Sequence, residues 1–354
     1  MPHTSTSAQF RIFATLFVAA VVIFLSGCDV DVQPLGAGEG RTLVYAVVGR
    51  QGVPNGGIIC SRIGCIVIDP PLSPELGDTV NAQALAKSRI FWDSYHAAKK
   101  ERAATLQPPV LYVLNTTFRA THSFGNQSFE KADIISTPKA KDRLIRDGPA
   151  MREELRDQWK VPGLALQYPA GATLTVDGTM NIETPEVKVQ FISMGDCVGE
   201  GDAVVYLPGQ KILFAGDLVI PNHIPYFKGR TQTVRNWIEA LKRLETFEVE
   251  TLIPGHGDVG RKDAIATQRK FLEDLVAAVD AEIKKGGNID QVVKAVSLDA
   301  YKGWSHYAEW LGGNVKLVYR ELKGEPMPPN ETGKVEIGVV QPLNPERNDP
   351  FKDK

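Results

Sequence analysis

The stretch that most constrains this chain is Val110–Leu114, a short unbroken apolar run, together with the polar sequence it closes on, Asn115-Thr-Thr-Phe-Arg-Ala-Thr-His-Ser-Phe-Gly-Asn126. An apolar run of this length, bounded by turn formers, reads as a strand buried on both faces. Thr117, Arg119, Thr121 and His122 are therefore gathered at the end of a buried strand, and His122-Ser-Phe-Gly-Asn126 reads as a turn that opens a helix. Strands of the same kind come earlier: Leu43–Val48, Gly57–Cys60 and Cys65–Ile68, the last two joined through the hairpin turn Ser61–Gly64 and closing at Asp69. Cys60 and Cys65 flank that turn, and two readings stand open: a disulfide in an oxidising compartment, or two small apolar core residues.

The N-terminus carries a separate signal. Arg11 precedes an uncharged apolar run, Ile12–Leu25, too short for a comfortable membrane span and of the length of a secretory signal core. It ends in Leu25-Ser26-Gly27-Cys28, small residues leading into a cysteine, which resembles the bacterial lipobox. Residues 1–27 are thus expected to be a lipoprotein signal peptide and Cys28 the lipidated first residue of a protein held to the bacterial cell envelope, facing the periplasm or exterior. Residues 28–41 contain Gly and Pro and read as a tether. The net charge of −2 argues against a nucleic-acid surface. The expected partners are the membrane, through the lipid on Cys28, and a small molecule or envelope protein that the sequence does not name.

Further along, Thr79–Thr105 reads as a helix, Ile134–Ile135 as a strand, and Lys139–Lys160 as a helix broken at Asp147-Gly148-Pro149. Ala172–Val176 and Val187–Ser193 are strand-like. Val234–Leu244 has helical spacing with Trp237, Leu241 and Leu244 on one face. Asp263–Lys285, Ile289–Ala295 and Trp304–Glu321 follow as helices, and Trp304, Tyr307 and Trp310 are expected to pack on the body of the domain. His96 reads as a surface residue and His306 as a structural one, each without a ligand partner. Residues 323–354, rich in Pro, Asn and charge, read as a loosely attached tail.

Over about residues 42–322 these motifs resemble the metallo-β-lactamase superfamily. There the central strand ends in Asn-Thr-His-x-His-x-Asp-His, often followed by x-x-Gly-Asn; Asn115, Thr116, His122, Gly125 and Asn126 match. Asp69 resembles the acid that holds the family's loops. Gly201-Asp202, Tyr206-Leu-Pro208, Ile212-Leu-Phe-Ala-Gly-Asp217 and Thr251-Leu-Ile-Pro-Gly-His256-Gly match further family motifs. The resemblance implies an α/β fold, a four-layer αββα sandwich of two mixed β-sheets with helices on the outer faces, and a site at one edge where strand-end loops meet.

The same resemblance implies two adjacent metal positions. The first would be held by the residues that are Thr117, Arg119 and Val198 here. Valine offers no lone pair, a guanidinium has no acceptor, and a threonine hydroxyl is a poor zinc ligand. The second keeps His122, Asp217 and His256 but has Thr121 in place of its acid. Two imidazoles and a carboxylate can hold a metal with open positions, so the expected cofactor is none or one divalent ion: zinc, iron or manganese. Arg119 is expected to pair with Asp217 and replace the missing cationic charge. Cys197, beside Val198, and His223, on the loop after Asp217, are further pocket candidates. Two functions follow: a membrane-anchored relative that has lost the first site and zinc-dependent hydrolysis and binds a ligand or partner, or a mononuclear metal-dependent hydrolase using His122, Asp217 and His256.

Overall fold

The computed structural model describes residues 30–35, 43–50, 52–99, 108–157, 170–225 and 233–326. The expected signal peptide, Cys28 and nearly all of the expected tail lie outside the described residues. In chain order the first four strands are β1 (Val30–Leu35), β2 (Val44–Gly49), β3 (Gly56–Ser61) and β4 (Gly64–Ile68), each antiparallel to the one before. Helix α1 (Pro74–Lys99) leads to β5 (Val110–Leu114), the short α2 (Ala120–Ser123), β6 (Asp133–Ser136), α3 (Pro138–Asp157) and β7 (Leu174–Thr175). Strands β4 to β7 are parallel neighbours, completing a seven-stranded sheet in the order β1 to β7.

The second sheet is built from β8 (Thr179–Glu183), β9 (Lys188–Gly195), β10 (Asp202–Leu207), β11 (Ile212–Gly216) and β12 (Thr251–Pro254). Its order is β12-β11-β10-β9-β8, with only β11–β12 parallel. Helix α4 (Val234–Glu245) joins β11 to β12, and α5 (Asp263–Lys284), α6 (Ile289–Ala295) and α7 (Tyr307–Lys323) follow.

Period-two patterning along the strands makes the layers. In β4, Ile66 and Ile68 face the second sheet, while Cys65 and Val67 face α1 through Val80 and Ala84. In β10, Ala203, Val205 and Leu207 meet the first sheet, while Val204 and Tyr206 face Trp237, Leu241 and Leu244 of α4. The result is the expected sandwich of two mixed sheets with helices outside. No helix among the described residues is long and apolar enough to cross a membrane.

Several expectations change. Val30–Leu35, inside the stretch read as a tether, is an edge strand in register with β2 from Val30 opposite Gly49 to Leu35 opposite Val44. Helix α1 starts earlier than expected, at Pro74. Helix α3 runs unbroken through Gly148-Pro149, because Ala140, Leu144, Gly148, Met151 and Leu155 form one continuous buried face. The edge strand β8 was not expected; most of its side chains are exposed, so it carries little apolar signal. Tyr307 opens α7, and Trp304 sits in the turn before it. His96 is half-buried against Trp92 and Tyr95. His306 has partners: Glu309 Oε2 lies 2.7 Å from its Nδ1, and its ring stacks on Trp310 at 3.9 Å.

Cys60 and Cys65 stand directly opposite each other in the β3–β4 register, both free and fully buried, with their sulfurs 2.9 Å apart. The contact with Cys65 and burial together push the Cys60 thiol far above its ordinary range.

The two sheets are tied at the rim by Asn55, 2% exposed, on the loop between β2 and β3. Its Oδ1 accepts from Gly49 N–H at 2.9 Å, and its Nδ2 donates to Pro254 O at 3.0 Å and Gly257 O at 2.7 Å. Replacing Asn55 with Ala removes the partner of one buried backbone group, Pro254 O, and of two partly exposed ones at Gly49 and Gly257. We expect Asn55→Ala to lower unfolding free energy by about 1–3 kcal/mol in urea denaturation.

Candidate metal centre

The site lies where β4, β5, β11 and β12 end on the same rim. Asp69, the residue after β4, adopts a left-handed backbone (φ 46°) and turns its carboxylate toward the loop after β5. Oδ1 accepts from Thr116 N–H at 2.7 Å, and Oδ2 accepts from the Thr116 hydroxyl. Asn115 and Asn126 exchange amide hydrogen bonds at 2.8 and 3.1 Å, fixing the ends of the turn that carries Thr117 to His122. Two glycines let the segments close: a Cβ on Gly216 would lie 2.3 Å from Thr116 Oγ1, and one on Gly255 would lie 2.4 Å from Asp217 Oδ1.

At the centre is Asp217. Its Oδ1 is 3.1 Å from His122 Nε2 and 3.6 Å from His256 Nε2, and its Oδ2 accepts from Arg119 at 3.1 Å. The ion pair expected between Arg119 and Asp217 is thus present. The other arm of Arg119 donates to Val198 O at 2.7 Å. The guanidinium is 2% exposed and so buried as fully as the imidazoles around it. On the far side of His122, Nδ1 meets Asp69 Oδ2 at 3.1 Å.

The electrostatics follow from this ring of charges. Burial alone would lower the His122 pKa, but Asp217 and then Asp69 outweigh it and raise it to about 10, so the ring is an imidazolium. Burial pushes the Asp217 carboxyl up, yet His122 and Arg119 hold it well below the usual carboxylate range. His256 goes the other way: burial lowers it to about 3, against the pull of Asp217 and with His122 and Arg119 adding to the fall. Asp202 is raised by burial to about 6, opposed by Arg119 and by the Gly199 and Val198 N–H groups. Its Oδ2 caps those two N–H groups at 2.8 and 2.7 Å, holding the turn whose carbonyl receives Arg119.

His122, Asp217 and His256 place donor atoms within 4.8 Å of one another, the only such metal-competent group among the described residues. Two imidazoles and one carboxylate suit a single divalent ion, and Asp69 behind His122 is the outer carboxylate that orients a ligating ring. Both ring nitrogens of His256 lack a hydrogen-bond partner, as do the hydroxyls of Thr117 and Thr121. A buried imidazole without a partner is the donor an ion would satisfy. The residues therefore fit one ion, with Arg119 as the competing cation.

Two candidates do not join this group. Cys197 packs in the core between the second sheet and α4, its thiol donating to Met194 O at 3.3 Å and raised well above its ordinary pKa by burial. Neighbouring residues on an extended segment point to opposite sides, and here the Val198 carbonyl, not the Cys197 sulfur, reaches the site. His223 is half-buried; its Nδ1 is 2.8 Å from Pro221 O, and it lines a separate cavity of about 450 Å³ with Gly257, Gln268 and Trp304. Asn55 carried no signal in the sequence, although it clamps the carbonyls on either side of His256.

Residues 58–256 match the metallo-beta-lactamase superfamily, and the chain belongs to that family. Among solved structures it is similar to a double mutant of the sec-alkyl sulfatase PisA1, at 18% identity and TM-score 0.59 over 84% of this chain and 54% of that one. The stereoselective inverting sec-alkylsulfatase Pisa1 from Pseudomonas sp. gives 17% and 0.56 over 83% and 54%. A metallo-beta-lactamase from Pontibacter korlensis gives 15% and 0.48 over 69% and 99%. The chain spans about half the length of the alkylsulfatases, and at these identities the likeness is one of fold. No curated protein matches the chain.

Two outcomes follow. Arg119→Ala leaves the Val198 carbonyl unpaired and removes one cation from a buried carboxylate, so it should destabilise by about 3–5 kcal/mol in chemical denaturation. In chelator-treated protein, His122, raised to about 10, contributes stability that is complete below its unfolded value and is lost as pH rises toward 10. His256, lowered to about 3, costs stability as pH falls from its unfolded value toward 3. Together they place a maximum near neutrality. Melting temperature against pH should flatten on its alkaline limb in His122→Gln and, between about pH 6.5 and the range where Asp217 and other carboxylates take over, on its acid limb in His256→Gln.

Proposed function

We propose that this protein is a lipid-anchored member of the metallo-beta-lactamase superfamily in the bacterial cell envelope. In this reading it has lost the first metal position and zinc-dependent hydrolysis, and it binds a small molecule or an envelope protein. The observation that carries this is Arg119: a buried guanidinium bridges Asp217 and the Val198 carbonyl, in the position the family gives to a metal-ligating histidine. Thr117 and Val198 supply no replacement donor there. Asp217 already has a protein-supplied cation on each oxygen, His122 on Oδ1 and Arg119 on Oδ2. The Leu25-Ser-Gly-Cys28 motif supports attachment through a lipid on Cys28, and the near-neutral net charge of −2 gives no reason to expect nucleic acid as a partner.

A second reading, a mononuclear metal-dependent hydrolase on His122, Asp217 and His256, is favoured by the two unpartnered ring nitrogens of His256. An ion there would supply Lewis acidity and acidify water. The protein's own part would be to orient His122 through Asp69, to give up the proton that His122 carries, and to tolerate Arg119 beside the ion. A divalent ion about 4 Å from the guanidinium would cost about 8 kcal/mol with partial screening.

Metal content of protein purified without chelator, and again after incubation with zinc, separates the two. The expected result is no stoichiometric ion and no hydrolysis of β-lactam, sulfate-ester, phosphate-ester or thioester substrates. One equivalent of zinc, iron or manganese, lost in His256→Ala together with hydrolysis, would overturn the first reading in favour of the second.

A further inference from the structure

The start of the first described strand, β1, and the site lie at the same end of the sandwich. Strand β1 runs antiparallel to β2 with Val30 opposite Gly49, β2 to β3 with Val47 opposite Gly56, and β3 to β4 with Gly57 opposite Ile68. Strand β4 then runs parallel to β5 with Ile68 opposite Leu114. The start of β1 is therefore on the rim from which Asp69 and the turn from Asn115 to His122 rise. The connection continues across the sandwich. Gly49 N–H donates to Asn55, and Asn55 donates to the carbonyls of Pro254 and Gly257 on either side of His256. Val30 itself is half-buried against the cluster that holds Val53 and Phe118, the neighbour of Arg119. At the other end of β3 and β4 lies the hairpin tip Arg62-Ile63, roughly 17 Å away by the rise of a strand.

Cys28 precedes Val30 by two residues, and two fully extended residues span at most about 7 Å. A flexible tether over residues 28–41 would let the domain tumble above the bilayer. A strand that begins at Val30 removes that slack. The inference rests on the reading of Cys28 as lipidated. We propose that the lipid holds the site-bearing rim against the phospholipid headgroup layer, so that molecules bound for the site approach through that layer and the far hairpin points away from it. The exposed charges on this rim are mixed, with Arg50 beside Gly49 and Asp258 beside Gly257. Contact is therefore set by covalent reach rather than by attraction to anionic lipid, and it should not depend on salt.

The test uses the full-length protein made in a lipoprotein-processing bacterium and reconstituted into phosphatidylcholine–phosphatidylglycerol vesicles. A thiol-reactive fluorophore is placed at Arg50→Cys on the rim or at Ile63→Cys on the hairpin tip; Cys60, Cys65 and Cys197 are buried. Headgroup-labelled quencher lipids then report proximity. The Arg50 probe should be quenched severalfold more than the Ile63 probe, equally at low and high salt. A flexible Gly/Ser segment of about 20 residues inserted before Val30 should bring the two probes to the same level. Intact mass of the membrane-bound protein separates the failures. A lipidated Cys28 with the Ile63 probe quenched as strongly as the Arg50 probe overturns the orientation alone. A Cys28 without lipid overturns the lipoprotein reading, and the orientation with it.

Discussion

A carboxylate buried at the meeting point of two sheets needs a cation, and Asp217 decides what the rest of this site can be. At 4% exposure it has no solvent to share its charge. The protein answers with two cations of its own, the His122 imidazolium on Oδ1 and the Arg119 guanidinium on Oδ2. Each contact distance is near 3 Å, where a partly screened pair is worth several kcal/mol, enough to keep both partners ionised in the interior. An ion held by His122, Asp217 and His256 would take the place of the proton on His122 and stand beside a fixed guanidinium. The imidazole of His256 lacks a hydrogen-bond partner at either nitrogen, as do the hydroxyls of Thr117 and Thr121 beside it.

The frame around that carboxylate is held by groups that do not depend on an ion. Asp69 gathers Thr116 and His122, the Asn115–Asn126 amide pair closes the turn, Asp202 caps the Val198–Gly199 corner, and Asn55 joins the β2–β3 loop to the carbonyls flanking His256. All are backbone or outer contacts. The strand ends therefore stay in register whatever side chains stand at Thr117, Arg119 and Val198. Asp217 and His256 sit on segments whose close approach depends on Gly216 and Gly255, so a side chain at either glycine would disturb β11 and β12 together.

What was legible in the sequence was what has a periodic or charge-balance signature. The alternating strands, the Trp237-Leu241-Leu244 face of α4 and the capped helix Ile289–Ala295 carry strong local patterns, and the structure has them. The Arg119–Asp217 pair could be anticipated because a buried carboxylate facing an arginine has few alternatives. The rest depended on tertiary context. Gly148-Pro149 looks like a helix breaker, but its helix is driven by burial of Met151 and Leu155 beyond it. Strand β8 has one buried residue, Ile182, so alternation alone did not mark it. Asn55 is a single polar residue in a turn, and its role depends on a contact with Pro254 that is about 200 positions away in the chain. The pairing of His306 with Glu309 was missed, although their three-residue spacing at the start of a helix was a signal for it.

The first strand changes the meaning of the N-terminal segment. As sequence, Val30–Leu35 contains Asp31, Gln33 and Pro34 and looks like a spacer. Proline and polar residues are also what an exposed sheet edge tolerates, since an edge strand need not donate on its outer side. Once it pairs with β2, the same residues become the first rigid element of the domain, and the distance from Cys28 to the fold falls to two peptide units. The rim from which β1 starts is then a consequence of strand order. Because β1, β3 and the loop after β2 meet β4 and β5 at their site-bearing ends, a lipid attached before β1 can only be near the end that carries Asp69 and His122. That the start of β1 and the centre share one rim thus follows from one topological fact, the antiparallel run from β1 to β4 that turns parallel at β5.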